Sequence, residues 1–327
     1  MRVLLTGAAG YVGSVLADRL LKSPRVDHVV LADSRVPSPT GSKAANGRLQ
    51  LAVGSLQQRA FLHDLGRHLP LDGVIHAAFF MRAGYGRRAR EIEQINRRAC
   101  ENVFDFCFRN GVPKLLYVSS GSVYGPCAGN TIDHLFEETE PFGEARHHYV
   151  VQKRAAETLL REMYDARRPE TRVVVLRPCS ITGPRGQAAP ANRVSLISFL
   201  KKVVPIVPRV SEQWTRQFLH EDDLAAAIEL LLTTHLPDGY TIFNLAPPDY
   251  MTARDVAQSL GKRSIQVPAW LVDASFRVLW HATRGRMPTP PGLIDFLRYP
   301  INLDGTKITA LGFRYRYSSK QSFLAER

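Results

Sequence analysis

Tyr149 and Lys153 stand four residues apart in a segment of helical periodicity. Ser119-Ser120-Gly121-Ser122-Val123-Tyr124-Gly125 follows an earlier apolar run. Four residues of helix bring the tyrosine and the lysine to one face. A phenol is a poor base at neutral pH, because its ordinary pKa is about 10. Moving it toward 7 takes roughly 4 kcal/mol of preferential phenolate stabilisation, which an ammonium together with the positive charge of an oxidised hydride acceptor can supply in a partly desolvated cleft. With Ser120 hydrogen-bonding the substrate oxygen, Tyr149 can then take a hydroxyl proton as hydride leaves the same carbon, or return it in reverse. Such chemistry needs a hydride acceptor, and the N-terminus encodes a place for one. Val3-Leu4-Leu5-Thr6 is followed by Gly7-Ala8-Ala9-Gly10-Tyr11-Val12-Gly13, then a helical pattern, a second apolar run and Asp33. Gly7 permits a tight turn, Gly10 lets the backbone approach phosphates, and Gly13 allows the helix to pack on the strand. The N–H groups and positive dipole end of that helix suit a pyrophosphate. Asp33, twenty residues after Gly13, is placed to accept hydrogen bonds from the adenosine ribose 2′-OH and to repel a 2′-phosphate. NAD is therefore expected over NADP, with Arg35 as the nearby residue that could reach a 2′-phosphate.

The elements that must position these groups alternate. Strands are expected at Arg2–Thr6, Val29–Ala32, Leu49–Val53, Gly73–His76, Lys114–Ser119, Arg172–Arg177 and Tyr240–Asn244. Helix-period segments lie at Gly13–Leu21, Arg88–Asn110, Tyr149–Arg167 and Asp222–Thr233. Short apolar strands alternating with helices imply an α/β fold, a doubly wound parallel (Rossmann) sheet. Beyond Pro178 the alternation gives way to prolines, glycines and short helical pieces, so a smaller, discontinuous C-terminal substrate lobe is expected. Residues 1–180, with 217–245 returning, form the expected cofactor domain, and 181–216 and 246–327 the lobe. The Pro/Ser/Gly stretch Arg35–Gly47 reads as a loop beside the adenosine end. In the C-terminal lobe, Val267 to Trp280 is a helical segment whose large apolar spacing predicts core, with a wall for an apolar substrate as the alternative.

At 327 residues and 45% apolar, the chain can bury a large core. No apolar stretch reaches bilayer-spanning length and the first strand begins at Arg2, so a cytoplasmic location and no membrane partner are expected. Cys100, Cys107, Cys127 and Cys179 form no CxxC pair and read as reduced thiols. The net charge of +13 reads as an arginine-rich solvated exterior, with attraction for an anionic ligand as the alternative. No nucleic-acid motif accompanies it.

From Met1 to about Leu232, and more loosely to the C-terminus, the chain resembles the extended short-chain dehydrogenase/reductases, in the branch of NAD-dependent epimerases and dehydratases that includes UDP-glucose 4-epimerase-like proteins. The resemblance rests on the loop Thr6 to Gly13, on Asp33, on Val74-Ile75-His76-Ala77-Ala78, on Asn96, on Ser120 with Tyr149 and Lys153, on Arg177-Pro178, and on Arg216-Gln217-Phe218-Leu219-His220-Glu221-Asp222-Asp223-Leu224. It implies catalysis by Ser120, Tyr149 and Lys153. It implies cofactor contacts from Gly7, Gly10, Tyr11, Val12, Gly13 and Asp33, then from Ser55, Leu56, Ala77 and Ala78, and further from Asn96, Ser119, Pro178, Tyr149 and Lys153. Phe79, Ser120, Ser122, Ser180 and Arg216 are the implied substrate contacts, with Arg216 toward a nucleotide-sugar diphosphate. The His220 to Asp223 cluster is thereby assigned to no metal. A homodimer built on the helices Arg88–Asn110 and Tyr149–Arg167 is expected from the resemblance, although both carry charged outer faces, with Arg154, Glu157 and Arg161 on the second. The stretch Asn302 to Phe313 looks like the closing helix, with Arg314 and Arg316 following.

The departures from the pattern bear on the reaction. Gly121 and Ser122 stand where 4,6-dehydratases carry an acidic pair, and neither can perform the elimination's proton transfers. Gly54-Ser55 replaces an adenine-binding aspartate, Ser180 an asparagine, and Thr182 a tyrosine. The expected activity is therefore hydride transfer at a secondary alcohol or ketone, of the epimerase type on a nucleotide sugar. A one-way dehydrogenase or reductase of an apolar, hydroxysteroid-like alcohol or ketone is the alternative, and a non-catalytic NAD sensor comes last.

Overall fold

A computed structural model describes residues 1–37, 47–68, 70–81, 83–188, 205–236 and 239–325. Most of the loop expected at Arg35–Gly47, and residues 189–204 of the expected lobe, lie outside the described residues. Seven strands, β1 (Arg2–Thr6), β2 (His28–Asp33), β3 (Leu49–Val53), β4 (Gly73–His76), β5 (Lys114–Val118), β6 (Arg172–Pro178) and β7 (Tyr240–Leu245), make one sheet in the order β3-β2-β1-β4-β5-β6-β7. Every pairing in it is parallel. Each strand lies within one or two residues of its expected place, because Val, Leu and Ile fill both faces of the central strands and such runs are stable only when helices cover both sides.

Alternate residues of β1 serve the two sides. Val3 and Leu5 point to a core shared with α1 (Tyr11–Lys22), and Leu4 points to one shared with α2 (Arg59–Leu65), α3 (Arg87–Arg109) and α4 (His148–Arg167). On the α1 side, Leu16 and Leu20 meet Ile228 and Leu231 of α5 (Glu221–Thr233); on the other, Phe104 and Leu160 pack together. Strand order reverses between β1 and β4, which opens a crevice at the carboxyl ends of the strands. Into that crevice run the glycine turn after β1, the segment after β4 and the serines after β5.

Beyond Pro178 the chain forms small strand pairs. Ser180–Thr182 lies beside Phe218–His220, Ile206–Arg209 beside Arg263–Gln266, and Thr215–Arg216 beside Met251–Thr252. A second apolar core gathers Trp214, Phe218, Met251, Ile294, Leu297 and Phe323. Residues 217–245 return to the sheet, where α5 packs on α1 and β7 lies against β6.

Three expectations are corrected. The helix α6 (Ala269–Ala282) spends only part of its apolar residues on the core, through Val272 and Phe276. Only Trp280 is buried, while Trp270, Leu271, Val278 and Leu279 are exposed. Residues 302–313 hold a two-residue strand and a short 3-10 turn, and the closing α-helix is Ser319–Leu324, started by a capping box of Ser318 and Gln321. Glu157 is not on an outer face of α4: it is four residues from Lys153 and lies buried on the same side. Among the described residues, no helix is long and apolar enough to cross a membrane.

Candidate active site

The turn after β1 shows why glycine stands at two of its positions. Gly7 has φ of +77°, and a Cβ there would sit 2.5 Å from the Ala78 nitrogen. A Cβ on Gly13 would lie 2.0 Å from the Gly7 carbonyl oxygen, so the first turn of α1 can approach β1 only without a side chain. Gly10 is the extended residue before α1, no side chain caps that helix, and its first turn holds no acid. Its leading N–H groups are thus suited to an anion, and the Ala77-Ala78 backbone forms the facing wall.

Asp33 ends β2 beside this turn. Its carboxylate accepts hydrogen bonds from the Ala9 and Arg35 backbone N–H groups, both at 3.0 Å. The Arg35 guanidinium folds back to donate to the Ala9 carbonyl at 3.0 Å. At the next strand end, the Ser55 hydroxyl accepts from the Gln57 side chain at 3.3 Å. The Leu56 side chain is buried in the core, and its carbonyl accepts from the Asn102 side chain of α3 at 2.8 Å. The Tyr11 hydroxyl donates to buried Glu221 at 2.6 Å, tying the glycine turn to α5. These residues fit a dinucleotide: a side-chain-free turn, an uncapped helix start, and a carboxylate already aimed by two backbone donors.

Tyr149 and Lys153 lie on the first turns of α4, facing the end of β5. Lys153 is 3% exposed; its ammonium donates to the Val118 carbonyl at 2.8 Å and approaches the Tyr117 hydroxyl at 3.5 Å. It also lies 3.8 Å from the Phe79 ring centroid, and that ring meets Tyr149 edge-on with centroids 5.8 Å apart. Burial lowers the Lys153 pKa to about 8, with Glu157 opposing that shift. Burial pushes the Tyr149 phenol up to about 12, and the Ser120 hydroxyl draws it back only in part. In the chain by itself burial outweighs the groups around the phenol, so the expected lowering rests on the cofactor's positive charge as well. Lys153 spends its contacts on Val118, Tyr117 and Phe79.

Ser120 opens the short turn Gly121–Tyr124. Its hydroxyl accepts from the Ser122 N–H at 3.2 Å and shares a 2.9 Å hydrogen bond with the Ser122 hydroxyl. Asn96, buried on α3, accepts from the Phe80 N–H at 2.8 Å and donates to the Phe80 carbonyl and to Gln152. It thus holds the segment that carries Phe79 and braces the residue beside Lys153. Gln152 and Tyr117 were missed in the sequence, where nothing marks a buried glutamine on an otherwise charged helix.

Beneath the site, the Ser119 hydroxyl turns inward and donates to Glu157, and its N–H donates to the Leu176 carbonyl. Glu157 pairs with Arg177 at 2.7 Å, each side chain 4% exposed, and Arg177 reaches the Tyr124 hydroxyl, which donates to Asn244. This network joins β5, α4, β6 and β7. The four-residue spacing from Lys153 was the available signal for Glu157. Pro178 continues β6 in register with Leu245. At the end of β4, buried His76 shares a 2.7 Å hydrogen bond with Thr6 and is held neutral, its pKa lowered to about 3 by burial first and then by Lys153.

On the C-terminal side, Arg216 and Ser180 come together at 3.4 Å. The Arg216 guanidinium also donates to the Phe296 carbonyl at 3.2 Å and lies over the Phe296 ring. Burial lowers its pKa to about 10, and no carboxylate pairs with it among the described residues. Thr182 instead points inward to the Ser322 carbonyl. The acids after His220 diverge, Glu221 toward Tyr11 and Asp223 toward the Arg316 and Tyr317 N–H groups. Arg314 and Arg316 are exposed.

This arrangement has counterparts among known proteins. Residues 3–246 match the model of the NAD dependent epimerase/dehydratase family. A UDP-glucose 4-epimerase of Erwinia amylovora is 26% identical over 293 residues, covering 81% of this chain and 83% of that protein. An uncharacterised protein of Mycobacterium tuberculosis is 23% identical over 331 residues, covering 98% of this chain and 82% of its own length. Among solved structures, UDP-glucose 4-epimerase from Bifidobacterium longum, in complex with NAD+ and UDP, superposes with a TM-score of 0.74 at 18% identity, covering 100% of this chain and 97% of that one. UDP-glucuronic acid 4-epimerase from Bacillus cereus gives 0.72 at 21% identity, covering 100% and 98%. At these identities the structural matches establish the fold, while the family model spans most of the chain: the protein is an enzyme of the NAD dependent epimerase/dehydratase family.

Proposed function

We propose that the protein is a nucleotide-sugar epimerase that works at a secondary hydroxyl with NAD, residues 1–180 and 217–245 holding the cofactor and 181–216 and 246–327 the sugar nucleotide. This reading is supported by the half-buried Arg216, which reaches Ser180 just after β6 and has no carboxylate partner among the described residues, together with Ser120, Tyr149 and Lys153 gathered near the end of β5. Asp33, with two backbone donors fixing its carboxylate, favours a ribose 2′-OH over a 2′-phosphate. A cytoplasmic setting and a homodimer through α3 and α4 belong to the same proposal.

When bound, NAD supplies hydride acceptance at the substrate carbon and, while oxidised, a positive charge that opposes the effect of burial on the Tyr149 phenol. Tyr149 then takes and returns the hydroxyl proton, Ser120 holds the oxygen, and Lys153 keeps a cation beneath the phenol at a distance set by Phe79. Arg216, with its neighbour Ser180, binds the diphosphate. Gly121 and Ser122 supply no acid or base for 4,6-elimination. A side chain at 121 would also meet Leu303, since a Cβ there falls 2.4 Å from its methyl carbon.

The test is to purify the protein with whatever dinucleotide it holds and to add UDP- and dTDP-sugars while following the reduced-nicotinamide absorbance, with Tyr149→Phe alongside. Isomerised sugar without net reduction supports the proposal. Steady reduction driven by an apolar alcohol, lost in the variant, overturns it in favour of a one-way dehydrogenase.

A further inference from the structure

The helix α6 is apolar on both sides. Val272 and Phe276 pack against the second core and Trp280 is buried beside Tyr85, while Trp270, Leu271, Val278 and Leu279 look outward. Trp270 is 71% and Val278 66% exposed. Residues 270, 274 and 278 and residues 271, 275 and 279 form two adjacent ridges, and all of them are apolar except Ser275. Asp273, Arg277 and His281 form a polar stripe beside these ridges, and an exposed apolar helix face of this width ordinarily lies against another apolar phase. Exposed apolar side chains continue nearby. Phe80 and Met81 are exposed in the loop that Tyr85 ties to α6, through ring contacts with Trp280 and a 3.1 Å hydrogen bond to His281.

Charge indicates what covers this face. Between residues 262 and 286 there are five basic residues, Lys262, Arg263, Arg277, Arg284 and Arg286, and one acid, Asp273, which pairs with Arg277 at 2.9 Å. A second copy meeting this face through a two-fold axis would oppose these positive charges to themselves. A tryptophan and branched aliphatics flanked by arginines match instead the boundary between acyl chains and anionic headgroups. We propose that the outer face of α6, centred on Trp270 and Val278, docks the protein on an anionic lipid surface. Such docking is peripheral, since among the described residues no helix is long and apolar enough to cross a membrane.

Trp270 supplies its own probe, because Trp214 and Trp280, the other two tryptophans, are buried. The full-length protein is mixed with phosphatidylcholine vesicles, with or without phosphatidylglycerol, at low and high salt. Sedimentation and tryptophan emission are followed for the parent and for Trp270→Ser/Val278→Ser, whose fold is checked by its thermal melt. The expected result is binding and a blue shift only with phosphatidylglycerol, weakened by salt. The variant should need about tenfold or more lipid for half-binding. Equal sedimentation of parent and variant, or no binding to either vesicle, overturns the proposal. So does a concentration-dependent dimer that the double substitution dissociates, which would make a second copy the occupant.

Discussion

Glu157→Gln tests whether the ion pair under the candidate site holds that site together. The carboxylate and the Arg177 guanidinium are each 4% exposed and 2.7 Å apart, and Ser119 donates to the same carboxylate. An amide keeps the volume but leaves a buried guanidinium without a counter-charge, a loss of roughly 3–5 kcal/mol. For 327 residues, at about 2.1 cal/mol/K each, the unfolding entropy is about 0.7 kcal/mol/K, so Tm falls by about 4–7 °C. The same substitution has a second readout. Glu157 raises the Lys153 pKa against the burial that lowers it to about 8. Without Glu157 the ammonium loses its proton at lower pH, and if activity requires the cation, the alkaline fall of kcat/KM moves to lower pH. Calorimetry and a pH profile of the purified variant measure both. A Tm within about 1 °C of the parent would refute the energetic argument, and an alkaline limb that stays put or moves upward would refute the electrostatic one. In the double variant Glu157→Leu/Arg177→Met no charge is left unpaired, and it is expected to be more stable than Glu157→Gln alone.

Tyr149→Phe is expected to lower kcat by about 10²–10⁴ while NAD affinity, read by titration, stays unchanged; retained turnover would remove the phenol from the chemistry. Gly13→Ala places a methyl 2.0 Å from the Gly7 carbonyl, so dinucleotide affinity and Tm should both fall, and parent-like values would show that α1 can withdraw from β1. Arg216→Ala should raise the KM for a nucleotide sugar by about tenfold or more, with kcat much less affected. Equal losses with a substrate that has no diphosphate would assign Arg216 to packing over Phe296.

What was legible in the sequence was what depends on near neighbours along the chain. Strand runs, the glycine turn, the ribose acid and the Tyr149–Lys153 spacing follow from periods of two and 3.6 residues and from φ values that only glycine adopts freely. The fold class came with them, since apolar strands alternating with helices admit few packings. In α6 the same periodicity failed. Apolar residues at three- and four-residue spacing occupy two faces there, and only the folded chain reveals that Val272 and Phe276 meet the core, Trp280 is covered by Tyr85, and Trp270 and Val278 are left outside.

Tertiary structure alone decided the electrostatics. Glu157 and Arg177 are twenty residues apart in sequence, and the charge pattern of α4 suggests a solvated face until β6 passes beneath it. Spacing put Tyr149 beside Lys153, but burial raised the phenol to about 12 and placed the ammonium on Val118 and Phe79. A pKa is a difference in solvation between two charge states, so it is set by everything that surrounds the group. Residue order fixes which groups can meet along one helix; how much water and which charges they keep is settled only when the sheet closes over them.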